Sequence, residues 1–206
     1  MWRIATLAAA GVLVLLIVAQ IALPPYLNGR AEDELTKGGG SANVHLSAFP
    51  APRLLFSEGD SARVRARGIE LPLVSPDRRV LEQLDGFDDV DVEVADARAG
   101  PFRLTSVSLE RRGGDAPYRT AIHGSITARD LASFGGGQFG GGLGSFLGGL
   151  MGGALPFGDE PVPIVLEAVL RSEGGTPHAV TVHGTVAGVP AGALVEALTL
   201  ALAGRF

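Results

Sequence analysis

Apolar residues are distributed along this chain in three patterns, and each predicts a different element. The first is an unbroken run. Ile4 to Leu23 is twenty positions without a charged side chain, preceded by Arg3 and closed by Pro24-Pro25. At ~1.5 Å per residue a helix of that length covers ~30 Å, the hydrocarbon thickness of a bilayer. Arg3 and the amino terminus form a positive flank, which predicts a cytoplasmic N-terminus and an exported remainder. The run is long for a cleaved signal and lacks a small-x-small end, since Gln20 and Ala22 fill the recognition positions. It reads first as an uncleaved signal anchor, then as a cleaved export signal, and last as a buried helix. The expected organisation is an anchor over residues 1–25 and one exported domain over 26–206.

The second pattern has period two. Val44, Leu46 and Ala48 alternate with His45 and Ser47. Val64 and Ala66 alternate with Arg63, Arg65 and Arg67, and Val90, Val92 and Val94 with Asp89, Asp91 and Glu93. Such alternation predicts antiparallel strands with one wet face. A weak repeat follows at an offset of sixty. Phe102 to Gly124 falls on Val162 to Gly184, matching Arg111, Gly114, Pro117, His123 and Gly124 with Arg171, Gly174, Pro177, His183 and Gly184. Each copy reads strand, glycine turn, strand, helix, and the Gly after the strand suggests a bulge that curves the sheet.

The third pattern is helical. Tyr26 to Lys37 places Leu27, Ala31 and Leu35 on one face and is stopped by Gly38-Gly39-Gly40. Pro76 to Leu84 reads as a helix capped by Ser75 and ended by Gly86. Pro190 to about Ala203 is apolar nearly all round, so it is either buried on several sides or in contact with lipid. Between the repeats, Leu131 to Gly158 is uncharged and rich in glycine. Phe139, Leu143, Phe146, Leu147, Leu150 and Met151 recur there at three- and four-residue steps beside a stripe of glycines. Two readings stand: a Gly-rich loop, favoured because each helical glycine costs ~1 kcal/mol, or a membrane-contacting element of the small-xxx-small type.

Composition narrows the function classes. Seventeen basic residues face 22 acidic ones, a formal net charge of −5, which argues against nucleic acid as a partner. There is no cysteine, so neither disulfides nor a lipoprotein anchor is available. Thirty glycines and thirteen prolines predict many turns. No G-x-S-x-G, P-loop or H-E-x-x-H occurs. Of the four histidines, His123 and His183 occupy equivalent repeat positions, but a metal there would need a third ligand that cannot be nominated, so no catalytic residue, metal or cofactor is assigned. Arg63, Arg65 and Arg67 could pair across strands with Asp89, Asp91 and Glu93. The competing readings are lipid phosphate for the arginines and calcium for the carboxylates.

Read in order, three segments resemble a known family. They are GGGSANVHLSAFPAPRLL (Gly38–Leu55), LDGFDDVDVEVADARAGPF (Leu84–Phe102) and a strand opening at Pro117-Tyr118. The chain is similar in these to the LmeA-like phospholipid-binding proteins of actinobacterial envelopes, over roughly Ala31 to Leu131. The resemblance implies a fold of the tubular lipid-binding type, with a curved antiparallel sheet wrapped around apolar helices and leaving a groove. It also implies phospholipid binding at the outer face of the plasma membrane in support of lipoglycan assembly.

Pattern and resemblance together predict an α+β protein. An N-terminal transmembrane helix leads into a curved antiparallel sheet of hairpin–helix repeats that binds phospholipid without catalysis. The groove candidates are Val90, Val92, Val94, Ile122, Ile126, Val180, Val182 and Val186 on strands, with Leu194, Leu198 and Leu202 on the last helix. The alternative is a scaffold that holds an envelope biosynthetic enzyme.

Overall fold

The period-two segments do become strands. The computed structural model describes residues 2–71, 81–127, 130 and 160–190, with side chains from residue 18 onward except those of Val189 and Pro190. Strands β1 (Ser41–Ser47), β2 (Gly59–Arg67), β3 (Phe87–Ala99), β4 (Phe102–Arg112), β5 (Tyr118–Thr127), β6 (Pro161–Glu173), β7 (Thr176–Val186) and the two-residue β8 (Val189–Pro190) form one sheet in chain order. The sheet is curved and unclosed, and with few helices the fold is mixed α and β. Helix α1 spans Trp2–Leu35, a 3-10 helix spans Ala51–Phe56, and α2 spans Glu82–Asp85. The expected helix Pro76–Leu84 is described only from Leu81, with residues 82–84 in α2, and Pro190, the expected start of the last helix, ends β8. Residues 76–80 and 191–203, the Gly-rich stretch 135–158, and with them Phe139, Leu143, Phe146, Leu147, Leu150, Met151, Leu194, Leu198 and Leu202, lie outside the described residues.

The sheet departs from the fully antiparallel expectation at one pair. β2 and β3 run parallel, with Ala62 opposite Val90 and Arg65 opposite Glu93, while the other neighbours are antiparallel. The cause is the connection: residues 68–86 form a crossover long enough to return the chain to the same end, which a tight hairpin cannot do.

Alternation also changes phase within strands. In β3 the even residues Val90 and Val94 are buried, but beyond Asp96, which has φ 53°, the buried residues are Ala97 and Ala99. Opposite, β4 skips Thr105 between Leu104, facing Gly124, and Ser106, facing His123. This bulge turns Leu104, Val107 and Leu109 to one face despite their uneven spacing. Gly124 sits against it, where an added Cβ would lie 2.6 Å from the Arg103 carbonyl oxygen. A second bulge lies in β7, where Val180 is skipped between Thr181 and Ala179.

The edge strand β1 is covered by α1, and the contact is polar. The Gln20 amide donates to the Ala48 carbonyl (3.1 Å) and accepts from the Ala51 N–H (2.7 Å). Asn28 accepts from the Leu46 N–H (2.9 Å) and Glu32 from the Val44 N–H (2.7 Å). Residues 20, 28 and 32 differ by multiples of four, so they share one helix face. Leu27 adds apolar contact with the core. Backbone donors that an uncovered edge would offer to another chain are thus occupied.

This arrangement overturns the expectation that the first helix ends at Pro24-Pro25 and that a separate helix starts at Tyr26. α1 passes through both prolines. They withhold two N–H groups from the helix ladder, and the side-chain bonds on either side of them hold the two halves to the same strand and loop. Among the described residues no helix is long and apolar enough to cross a membrane. Most side chains of Ile4–Leu23 lie outside that set.

The core has two centres on the inward face. One gathers Ala48, Leu54, Ala62, Leu81, Phe87, Val90 and Tyr118, and the other Ala66, Ile69, Val94 and Ala97. Gly86 ends α2 in a right-handed conformation, so the reason for glycine there is space. A Cβ at that position would meet the Ser57 carbonyl oxygen at 2.0 Å.

Candidate functional site

The inward face carries the apolar residues of the strands, and the register fixes its rows. Val64 stands opposite Val92, and Val92 opposite Leu109. In the next row Val94 faces Val107, Val107 faces Ile122, and Ile122 faces Leu166. Burial divides this surface. Val90, Val94, Ile126, Val162, Leu166 and Val186 are buried, whereas Val64, Val92, Val107, Leu109, Ile122 and Val182 are half-buried. A strip of partly accessible apolar side chains therefore crosses β2 to β5 between packed ends.

Seven of the eight strand positions predicted for a groove come together on this face: Val90, Val92, Val94, Ile122, Ile126, Val182 and Val186. Val180 does not join them. It is the bulge residue of β7 and is 58% exposed. Two hollows among the described residues are lined by none of the predicted groove positions. One, of about 310 Å³, lies over β4 to β7 and is lined by residues including Ser108, Glu110, Arg119, Glu167 and His183. The other, of about 450 Å³, lies beside Glu70, Leu71 and Arg98.

One end of the inward face is closed by a polar cluster that sequence reasoning missed. Arg111 is 4% exposed, although it lies on an apolar face. Its Nη2 donates to the carbonyls of Leu84 (2.8 Å), Asp85 (3.1 Å) and Phe87, and its Nη1 meets Asp85 Oδ1 at 3.3 Å. The guanidinium lies 4.5 Å from the centre of the Tyr118 ring. Tyr118 donates to Asp85 Oδ1 (2.9 Å) and Ser172 donates to Asp85 Oδ2. Burial, and then the bond to Asp85, push the Tyr118 hydroxyl well above the usual phenol range. Arg111 thus satisfies the carbonyls where α2 ends and ties them to β4, β5 and β6. The signal in the sequence was an arginine two residues beyond Leu109 on the buried phase.

The outward face carries the charge. Arg65 forms a two-pronged contact with Asp91 (2.8 and 3.1 Å) and a further one with Glu93 (3.0 Å), so of the three arginines expected to pair with the acidic ladder, Arg65 does so. Arg67 reaches Asp96 at 3.9 Å. The Arg65 hydrogen bond is the main cause that holds the Asp91 carboxyl below its ordinary value. His45, His123 and His183 are exposed on this face. Among the described residues no cluster of His, Asp or Glu could hold a metal ion.

No family model, no curated protein and no solved structure matches this chain.

Proposed function

We propose that this protein is a membrane-anchored, extracytoplasmic phospholipid-binding protein without catalytic activity, holding acyl chains against the inward face of its sheet. The observation that carries this reading is the half-buried strip Val64–Val92–Leu109 and Val107–Ile122, lying between packed ends of the same apolar face. Each methylene withdrawn from water there gains ~0.8 kcal/mol, so an unspecialised apolar strip can retain a lipid tail. The uncharged run Ile4–Leu23 supports export and anchoring. The likeness to LmeA-like proteins in Gly38–Leu55 and Leu84–Phe102 supports phospholipid as the ligand and lipoglycan assembly as the setting.

The test is lipid carried by the full chain after exhaustive detergent exchange, compared with Ile122→Trp, whose larger side chain fills the strip. Wild type should retain phospholipid and Ile122→Trp should lose most of it at unchanged thermal stability. Equal retention by both proteins, or none by wild type, would remove the reading.

A further inference from the structure

The described residues include seven large apolar side chains that are exposed, and they are not scattered. Val18, Ile21 and Tyr26 are on α1. Phe49, Leu55 and Phe56 are in the turn between β1 and β2, at 77%, 60% and 78% exposure. Only Val180 lies elsewhere.

The turn is fastened to the helix at one level. Both polar groups of the Gln20 side chain are used on its backbone, at Ala48 and Ala51. Gln20 lies within the uncharged run and about 5 Å along the axis before its end at Leu23. A helix that spans with this run therefore carries Phe49 and its neighbours to the boundary between hydrocarbon and headgroups. Tyr26 stands about 5 Å beyond Leu23, in the zone where aromatic rings collect. The first charged residue of α1 after Arg3, Arg30, lies about 10 Å beyond it.

The turn is also built for a medium poor in water. Pro50 and Pro52 have no N–H. The N–H groups of Ala51, Arg53, Ser57 and Glu58 are bonded to Gln20, Pro50, Leu54 and Arg53. Its inward residues Ala48 and Leu54 belong to the core, so the outward ring of Phe49, Leu55 and Phe56 is rigidly backed. No charge occurs from Ser47 to Pro52, and Arg53 is drawn toward Glu58 and Asp60.

We infer that the Phe49–Phe56 turn is a second membrane contact, inserted into the outer-leaflet interface beside α1. This rests on the reading of Ile4–Leu23 as a span, so the test separates the two. The chain has no cysteine, and single reporters can be placed at Leu15→Cys in the run, Leu55→Cys in the turn and Arg103→Cys on the outward face. Each is labelled with an environment-sensitive fluorophore. The full chain is then reconstituted in phosphatidylglycerol–phosphatidylethanolamine nanodiscs with lipids carrying quenchers at shallow or deep positions. The expected result is deep quenching at position 15, shallow quenching at 55 severalfold stronger than at 103, and a blue-shifted emission at 55. Deep quenching at 15 with position 55 no different from 103 would overturn the second contact and leave the anchor standing. Absence of quenching at 15 would overturn both.

Discussion

The two hairpins β4–β5 and β6–β7 share five residues at an offset of sixty, yet they place two aligned positions on opposite faces of the sheet. Arg111 and Tyr118 are buried, while their counterparts Arg171 and His178 are exposed. The difference is where each copy carries its bulge. In the first hairpin the extra residue is Thr105, before Arg111, so the arginine is rotated inward. In the second, β6 keeps its even phase through Val162, Ile164, Leu166 and Ala168, which leaves Arg171 outward. The extra residue there is Val180, and it sends His178 outward. Identity at aligned positions does not confer equivalent environments when a one-residue bulge lies between them.

The largest expected effect tests the buried side of that contrast. Arg111→Ala leaves three carbonyls and Asp85 without their cation and should cost about 3–5 kcal/mol. Arg171→Ala should stay within about 0.5 kcal/mol. Urea midpoints of the two variants measure the gap, and equal midpoints would break the comparison. Next is Gly124→Ala. The added methyl is forced against the Arg103 carbonyl beside the first bulge, and a loss of about 1–3 kcal/mol is expected in the same assay.

Tyr118→Phe follows, at about 1 kcal/mol for the lost bond to Asp85. It also has a pH signature. The folded state raises the hydroxyl's pKa above its unfolded value near 10, so its contribution is complete below about pH 10 and falls as pH rises beyond that. Stability measured from pH 8 to 11 should drop at the alkaline end in wild type and less steeply in Tyr118→Phe. The smallest effect is at His178, whose contact with Glu173 is 3.7 Å and open to water. His178→Ala should shift the midpoint by no more than about 0.5 kcal/mol.

Much of the sheet was legible because strand alternation is local. The ladders at Arg63–Arg67 and Asp89–Glu93 showed both the strands and the faces they would present, and Arg65 does bridge Asp91 and Glu93. The parallel pairing of β2 with β3 was not legible, since alternation is the same for either direction. Arg111 stands out in the sequence as a repeat identity and as an arginine two residues beyond Leu109, and neither signal names what it binds. Its partners are carbonyls of Leu84, Asp85 and Phe87, which no side-chain pattern announces. Gln20, an uncharged residue inside the apolar run, announces no partner by itself. Its spacing from Asn28 and Glu32 held the information, but a helix expected to stop at Pro24 hid the common face. Of the eight strand positions expected on the groove side, Val180 alone lies off the inward face, because the bulge that displaces it lies at that residue.

The uninterrupted course of α1 has a mechanical consequence. The helix clamps the sheet's edge through Gln20, Asn28 and Glu32, on both sides of Pro24-Pro25. A segment joined only by its backbone swings about every rotatable bond of the joint. One fastened by side chains at three levels behaves as a lever fixed to the sheet, so a force applied at Gln20 is delivered to the edge strand.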